Sequence, residues 1–422
     1  MQRVLSFEHT PPLSLPLRFF LSAPLFALLA GAVVLWQGPD AFASRWSPAA
    51  LAATHLITLG VLSMTMIGAL LQILPVVAGV AIACPRLSAN VMHALLCSGA
   101  VLLAGAFYWS VPLLFKLALP LLVLALVWLL TACASGLWRA PRTAAAATLS
   151  GIRMALGALL PTLILGAALA AGLAWALPVP LFLLTDLHVL WGLFGWIGLL
   201  LIGVALQVIP MFQITPLYPA WITRGLSRFV LLLLIADSIA RIEGHWLQAV
   251  FEALLLAACG AFALVTLTLL ARRKRPAPDA TTLFWRTAMA SLLACAALWF
   301  APLDATARPL ILGILFLLGF AYSAVIGMLY KILPFLLWYH WQEQAAGRTV
   351  PRMKLIIPER HAVAQFWSHL AALLLLGAAV VWPLALALAR LAGFAFMLSS
   401  LQLGWNMLRA LRAHHVEAGQ SS

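Results

Sequence analysis

The feature that most constrains this chain is a succession of long apolar runs, separated by short segments that hold most of the charges. A membrane-spanning helix needs about 20 apolar residues, and lipid offers no hydrogen-bond partner to free backbone groups, so such runs must be helices. The runs predict about twelve helices, at approximately 17–36, 49–83, 90–109, 111–138, 151–176, 181–210, 225–242, 246–271, 282–301, 308–338, 361–382 and 384–410. A membrane barrel would need short alternating segments, which the sequence lacks. The predicted fold class is an all-α polytopic membrane protein.

Composition supports this fold class over any water-soluble one. The chain has 422 residues, of which 65% are hydrophobic and only 9% charged, and its mean hydropathy is +1.07. Water-soluble globular domains carry about 25% charged residues. The segments between the runs are too short for a soluble domain, so residues 1–422 are predicted to form a single membrane domain.

The formal net charge of +14 could suggest a nucleic-acid partner, but its distribution indicates membrane orientation instead. The basic residues occur in short clusters that follow even-numbered predicted helices, as in Arg272–Arg275. Loops after odd-numbered helices carry little net positive charge, as with Asp40 and Arg45. The positive-inside rule therefore predicts that both termini lie in the cytoplasm.

A short pattern recurs in the second, sixth and tenth predicted helices, and we call it the Gly/Pro frame. It places two glycines, a polar residue and a proline at identical spacing. Its three copies are Gly60, Gly68, Gln72 and Pro75; Gly195, Gly203, Gln207 and Pro210; and Gly319, Gly327, Lys331 and Pro334. Self-similarity at long, nearly even intervals is the signature of an internal repeat. The frame predicts three pseudo-repeats of four helices each, at approximately 17–138, 151–271 and 282–410.

Two histidines inside framed helices are the leading candidates for chemistry. His55 and His188 lie at similar depth, roughly 10 Å below the predicted outer ends of their helices at about 1.5 Å per residue. An imidazole inside a membrane is costly unless it is hydrogen-bonded, coordinated or facing a cavity. Two interpretations stay open: each ring bonds to a neighbouring helix, or both ligate a haem or a metal ion.

A second matched layer consists of Gln72, Gln207 and Lys331, which we call the polar inner layer because the predicted orientation puts it near the cytoplasmic edge. Glutamines can satisfy backbone groups that nearby prolines leave free, and a lysine there can snorkel into the headgroups. These structural roles are the ones that we expect.

Other polar groups near the spans include Lys116, Asp237, Arg241 and Glu252. Asp237 and Arg241 are four residues apart on one helix, so an ion pair is predicted. Glu252 either is solvated or helps to neutralise Arg241, and a proton relay through this group is an alternative. Tyr322 and Tyr330 in the tenth helix are expected to be packed aromatic residues.

Two levels of resemblance follow from these residues. A threefold, twelve-helix chain with histidines in its second and sixth helices resembles the haem-copper oxidase subunit one fold. More narrowly, the segment Leu17–Phe20 and the pattern His55-x4-Gly60-x7-Gly68-x6-Pro75-x3-Gly79 resemble the opening of the NnrS family. That resemblance implies a haem- and copper-associated protein of the bacterial cytoplasmic (inner) membrane, linked to nitric oxide and nitrosative stress.

The sequence also departs from these families. Oxidases of this fold carry haem and copper ligands in their tenth and seventh helices, whereas 308–338 and 225–242 contain no histidine here. Ala53 stands where NnrS proteins carry a further histidine. A complete oxidase binuclear centre is therefore not expected, and haem binding would depend on His55, with His188 as its partner.

Three functions follow as hypotheses. The first is a haem- or copper-binding protein that acts in nitric oxide response or respiratory metabolism. The second is a permease for a small molecule or metal ion, which broken helices and intramembrane charges would also suit. The third is a partner or assembly factor of a respiratory complex that has no ligand of its own.

Overall fold

The computed structural model of the chain describes residues 11–80, 82–139, 146–275, 277–344, 352–382 and 385–419. In this part of the chain every regular element is a helix. We number the long helices α1 (Ser14–Gln37), α2 (Pro48–His55, Leu56–Ser63 and Met64–Ala78), α3 (Pro85–Trp109), α4 (Pro112–Arg139), α5 (Ala146–Trp175), α6 (Leu181–Leu190, Trp191–Gly198 and Leu199–Gln213), α7 (Ile222–Leu226 and Ser227–Ile242), α8 (Leu247–Ala271), α9 (Ala280–Trp299), α10 (Ala307–Ile314, Leu315–Tyr322 and Ser323–Gln344), α11 (Glu359–Val381) and α12 (Leu386–Gly419). Short helical turns cover Gly38–Phe42 and Met353–Ile356.

The helices confirm the predicted fold class. Within the described residues, eleven of them are long and apolar enough to cross a membrane. The remaining predicted span is present as α7, whose two segments run from Ile222 to Ile242. The protein is therefore an all-α, multi-pass membrane protein whose surface contacts the lipid bilayer.

The three framed helices share an irregularity that the sequence did not predict. Each contains an eight-residue π-helical segment, at Leu56–Ser63 in α2, Trp191–Gly198 in α6 and Leu315–Tyr322 in α10. Each π segment begins four residues before the first glycine of its frame. π-Helical turns are rare and occur often at functional sites. The matching positions are consistent with the predicted pseudo-repeats, which stay a prediction together with the orientation of the chain.

The second frame glycine lets each framed helix approach a neighbour closely. A Cβ on Gly203 of α6 would lie 2.9 Å from the Cα of Gly151 in α5, closer than real side chains come. The equivalent positions, Gly68 and Gly327, face Phe19 of α1 and Phe284 of α9. In each predicted repeat the framed helix thus packs on the first helix, which fixes where its π segment lies.

The described chain packs as two compact units. The first contains Leu70–Pro276 and Met289–Leu303, and the second contains Pro11–Ala69, Ala277–Ala288 and Asp304–Ser422. In the first unit, α5 packs against α4 and α6, while α7 packs against α8. In the second unit, α12 packs against α1 and α11, and the π segments of α2 and α10 contact each other.

Candidate functional site

His55 lies in the second unit, at the last position before the π segment of α2. Its ring is partly buried, and its Nδ1 atom is 2.8 Å from the carbonyl oxygen of Leu51, one turn earlier. A carbonyl only accepts hydrogen bonds, so in the neutral ring Nδ1 carries the proton and Nε2 carries the lone pair. Metal-ligating histidines commonly have this arrangement, because the bonded N–H orients the ring.

His188 lies in the first unit, three residues before the π segment of α6. Its Nδ1 atom is 3.0 Å from the carbonyl oxygen of Thr162, which belongs to α5. The ring also packs closely on α5, since a Cβ on Gly166 would lie 2.8 Å from Cε1 of His188. As in His55, Nδ1 donates to a carbonyl and therefore carries the proton, so in the neutral ring the lone pair is on Nε2. This ring is positioned by a second helix, whereas the ring of His55 is positioned by its own.

The hydrogen bond alone does not mark a ligand. His340, near the end of α10, makes the same contact, with Nδ1 2.9 Å from the carbonyl oxygen of Leu336. What distinguishes His55 and His188 is that each lies within three residues of the start of a π segment. The two histidines belong to different units, so a ligand shared between them stays a prediction.

The polar inner layer is not uniform. Gln72 and Gln207 lie in the first unit, are mostly buried, and occupy matching positions in their frames. Oε1 of Gln72 has no hydrogen-bond partner among the described residues. Lys331 lies in the second unit and forms an ion pair, while its snorkelling into headgroups stays a prediction.

The partner of Lys331 is Asp279, the residue before α9. Nζ of Lys331 lies 2.8 Å from Oδ2 of Asp279. The other carboxylate oxygen accepts hydrogen bonds from the backbone N–H of Thr282, at 2.9 Å, and from its hydroxyl, at 2.7 Å. Burial alone would raise the pKa of Asp279, but Lys331 and these donors lower that pKa to about 2. Asp279 therefore caps α9 and neutralises Lys331 at the same time.

A charged cluster surrounds Arg241 in the first unit. Nε of Arg241 lies 2.6 Å from Oδ2 of Asp237, which confirms the predicted ion pair. Glu252 of α8 is hydrogen-bonded to the same guanidinium, and Asp186 of α6 lies 4.0 Å from it. Asp237 is buried, and its Oδ1 atom has no partner among the described residues. We call these four residues the Arg241 cluster.

Lys116 contacts an aromatic ring. Its Nζ atom lies 5.7 Å from the ring centroid of Trp175, so the ammonium group of α4 rests on an indole at the end of α5. Cation–π contacts of this kind hold a lysine against an aromatic face near the membrane surface.

A buried polar cluster in the second unit was not predicted from the sequence, and we call it the His369 cluster. It joins α10, α11 and α12, and its members are fully or almost fully buried. They are Tyr322, Ser323, Tyr330, Gln365, His369, Ser399, Ser400 and Asn406. A sequence signal existed: His361, Gln365 and His369 recur every four residues and therefore share one face of α11.

His369 occupies the deep end of this cluster. Its Nε2 atom is 2.8 Å from Oγ of Ser323, the residue that follows the π segment of α10. Ser323 Oγ also donates to the carbonyl oxygen of Leu318 at 3.1 Å, so the ring N–H must be the donor to Ser323. The ring stacks on Tyr322, with centroids 5.1 Å apart. Nδ1 of His369 has no hydrogen-bond partner among the described residues.

The rest of the cluster corrects the expectation for Tyr330. Its hydroxyl donates to Oε1 of Gln365 at 3.2 Å and accepts from Nδ2 of Asn406 at 3.0 Å. Gln365 donates in turn to Oγ of Ser399 at 3.0 Å. Tyr330 is thus a hydrogen-bonding centre between three helices rather than only a packed aromatic residue.

These observations define the class of protein: a multi-pass helical membrane protein with an imidazole beside each of three matched π segments. Within the described residues, no three His, Cys, Asp or Glu side chains form a group that could hold a metal ion. No known family model matches the chain, and no curated protein matches it.

Proposed function

We propose that this chain is a haem- or copper-associated protein of the bacterial inner membrane, related to the haem-copper oxidase superfamily and acting in nitric oxide response or respiratory metabolism. Its partners there would be respiratory-chain or nitric oxide-related proteins. The proposal rests on one observation. His55 lies at the last position before a π segment and His188 lies three residues before one, and each has Nδ1 bonded to a backbone carbonyl and the lone pair therefore on Nε2.

Each of the two histidines would suit ligation of a haem iron or of copper. A metal-ligating imidazole is neutral and is held by a hydrogen bond at its other ring nitrogen. His55 and His188 each meet that chemical requirement, and both are only partly buried. A bound haem would supply an iron that takes up nitric oxide or exchanges electrons.

In this proposal the chain orients the two imidazole rings and fixes the position of the helix that carries His188. Leu51 and Thr162 hold the rings of His55 and His188 in one tautomer, and Gly166 lets His188 lie against α5. The close packing of α6 on α5 at Gly203 fixes the helix that carries His188.

The test compares the wild type with His55→Ala, His188→Ala and His340→Ala, each purified from membranes of cells supplied with haem precursors and copper. His340 is the matched control, because it makes the same hydrogen bond away from a π segment. We expect His55→Ala and His188→Ala to reduce the Soret absorbance or the copper content to a small fraction of wild type. We expect His340→Ala to leave both unchanged. Equal losses in all three variants would refute the assignment.

A small-molecule or metal permease is the second candidate, and the Arg241 cluster is the observation that favours it. Three carboxylates from three helices surround one guanidinium, and intramembrane charges often mark a substrate path. Flux into proteoliposomes that depends on Asp237 would support this function. A protein that shows neither flux nor a bound metal would point to a partner or assembly role.

A further inference from the structure

A groove runs along α5 in the first unit. It has a volume of about 470 Å³ and is lined by Ser150, Arg153, Met154, Gly157 and Pro161 of α5, by Trp191 of α6 and by Leu231 of α7. The five α5 residues follow the helical spacing of three or four positions, with Arg153 and Met154 side by side, so they form one stripe on one face of that helix. The volume is within the range of small-ligand sites.

The two ends of the groove differ in polarity. Ser150 and Arg153 lie in the first two turns of α5, and the remaining lining is apolar apart from the indole N–H of Trp191. That N–H donates to Oγ of Ser238 at 2.9 Å, which fixes the ring as a wall of the groove. The groove is therefore amphipathic along its length, with its cationic end near the start of a spanning helix.

Arg153 is a cation with spare hydrogen-bond donors. One of its five N–H groups is 2.7 Å from the carbonyl oxygen of Leu137, near the end of α4. The side chain is exposed and forms no ion pair within the described part of the chain. The sequence has no acidic residue between Asp40 and Asp186. An anion from outside the chain is the complementary partner.

The length of the groove matches one leaflet of a bilayer. Ser150 and Pro161 are eleven residues apart, which corresponds to roughly 16 Å along a helix, and half of a hydrocarbon core of about 30 Å is roughly 15 Å. Gly157 lies halfway along, and apart from its chain neighbours and the adjoining backbone of its own helix no atom lies within 4 Å of the position where its Cβ would be. The floor of the groove is therefore open along the path of an acyl chain.

We propose that this groove binds an anionic phospholipid. Arg153 and Ser150 hold the headgroup phosphate, and one acyl chain lies over Gly157 and Pro161 against Trp191 and Leu231. Arginine is the side chain best suited to bidentate phosphate binding. Pro161 precedes Thr162, whose carbonyl positions His188, so the lipid would lie beside the helix segment that orients this histidine.

The test uses the full-length protein in detergent, incubated with equal amounts of phosphatidylglycerol and phosphatidylcholine and examined by native mass spectrometry. Wild type should retain phosphatidylglycerol preferentially. Arg153→Gln should weaken that retention about tenfold, because a charge-assisted hydrogen bond is lost. Gly157→Leu should abolish retention of both lipids by filling the groove, and Gly157→Ala should reduce it partly.

Two controls match these variants. Arg286→Gln removes an exposed arginine near the start of α9, and Gly377→Leu fills open space beside a glycine in α11. Both should retain phosphatidylglycerol as wild type does. The proposal is overturned if Arg153→Gln and Arg286→Gln lose the lipid equally, or if Gly157→Leu still binds it. If Arg153→Gln binds as wild type does, Arg153 serves only to cap α4.

Discussion

The Arg241 cluster and the His369 cluster represent two ways of placing polar groups in a membrane protein. The first is ionic and partly accessible: Asp186 is 35% exposed, and three carboxylates surround one guanidinium. The second is uncharged and closed to solvent: His369, Gln365 and Ser399 have no exposed surface. Each belongs to a different unit of the chain.

The difference shows what burial permits. An ion pair that is removed from water loses hydration that its mutual attraction only partly restores, so charges are tolerated where some contact with solvent remains. Neutral hydroxyl, amide and imidazole groups can be buried fully if they bond to one another. The His369 cluster departs from this condition at His369 Nδ1, which has no hydrogen-bond partner among the described residues.

The largest effect that would separate the two clusters is expected at Arg241. Arg241→Met removes the only cation of its cluster and leaves Asp237 buried without a counter-charge, which should cost about 3–5 kcal/mol of unfolding free energy. Unfolding in mixed detergent micelles measures this cost. Asp186→Asn is the control and should change the free energy of unfolding by less than about 1 kcal/mol, because Asp186 is the most accessible of the three carboxylates and lies 4.0 Å from the guanidinium. Similar costs for both variants would contradict the ionic description.

An intermediate effect is expected for the ion pair in the unit that holds the His369 cluster. Lys331→Gln introduces the residue type of the other two frames but removes the counter-charge of Asp279. This substitution should lower the free energy of unfolding by about 2 kcal/mol. The double variant with Asp279→Asn should lose less than the sum of the two single variants. Additive losses would show that the two side chains do not stabilise each other.

The ion pair of Lys331 with Asp279 also makes the stability of the protein depend on pH in the acid range. The pKa of Asp279 is about 2 in the folded protein, below its ordinary value of 3.8. A lowered pKa contributes stability that is complete above about pH 4 and is lost as the pH falls towards 2. Unfolding measured between pH 5 and about pH 2 should show this loss in wild type and not in Asp279→Asn.

The smallest effect is expected at His369. His369→Phe keeps an aromatic ring beside Tyr322 and Phe284 and removes a buried acceptor that has no partner. Ser323 keeps its bond to Leu318. Stability should stay within about 1 kcal/mol of wild type, since replacing buried polar groups by apolar groups of similar shape is nearly neutral. A loss of several kcal/mol would show that Nδ1 has a partner that stabilises the fold.

The sequence predicted those features that depend on local spacing. Apolar run length predicted the helices, and the four-residue spacing of Asp237 and Arg241 predicted their pair. The sequence did not predict that Asp279 pairs with Lys331 or that Ser323 bonds to His369. These partners are 52 and 46 residues apart and meet only through helix packing. Such partners cannot be paired from one sequence, because several polar residues on each helix are equally eligible.

The π segments were missed for another reason. The frame glycines were visible, and their spacing predicted a repeat, but a π turn replaces an i−4 bond by an i−5 bond without any residue type that requires it. In the structure each π segment has an imidazole beside it: His55, His188 and, from a different helix, His369. The tenth predicted helix has no histidine of its own, but the third π segment still has an imidazole beside it, because His369 comes from a different helix.

If the imidazoles of His55 and His188 serve a bound haem or copper, the wild-type protein must carry one of them. The most direct measurement is the optical spectrum and the copper content of the wild-type protein, purified from membranes of cells supplied with haem precursors and copper. We predict a Soret band or bound copper that survives purification. A protein with neither, folded and fully helical, would contradict the claim.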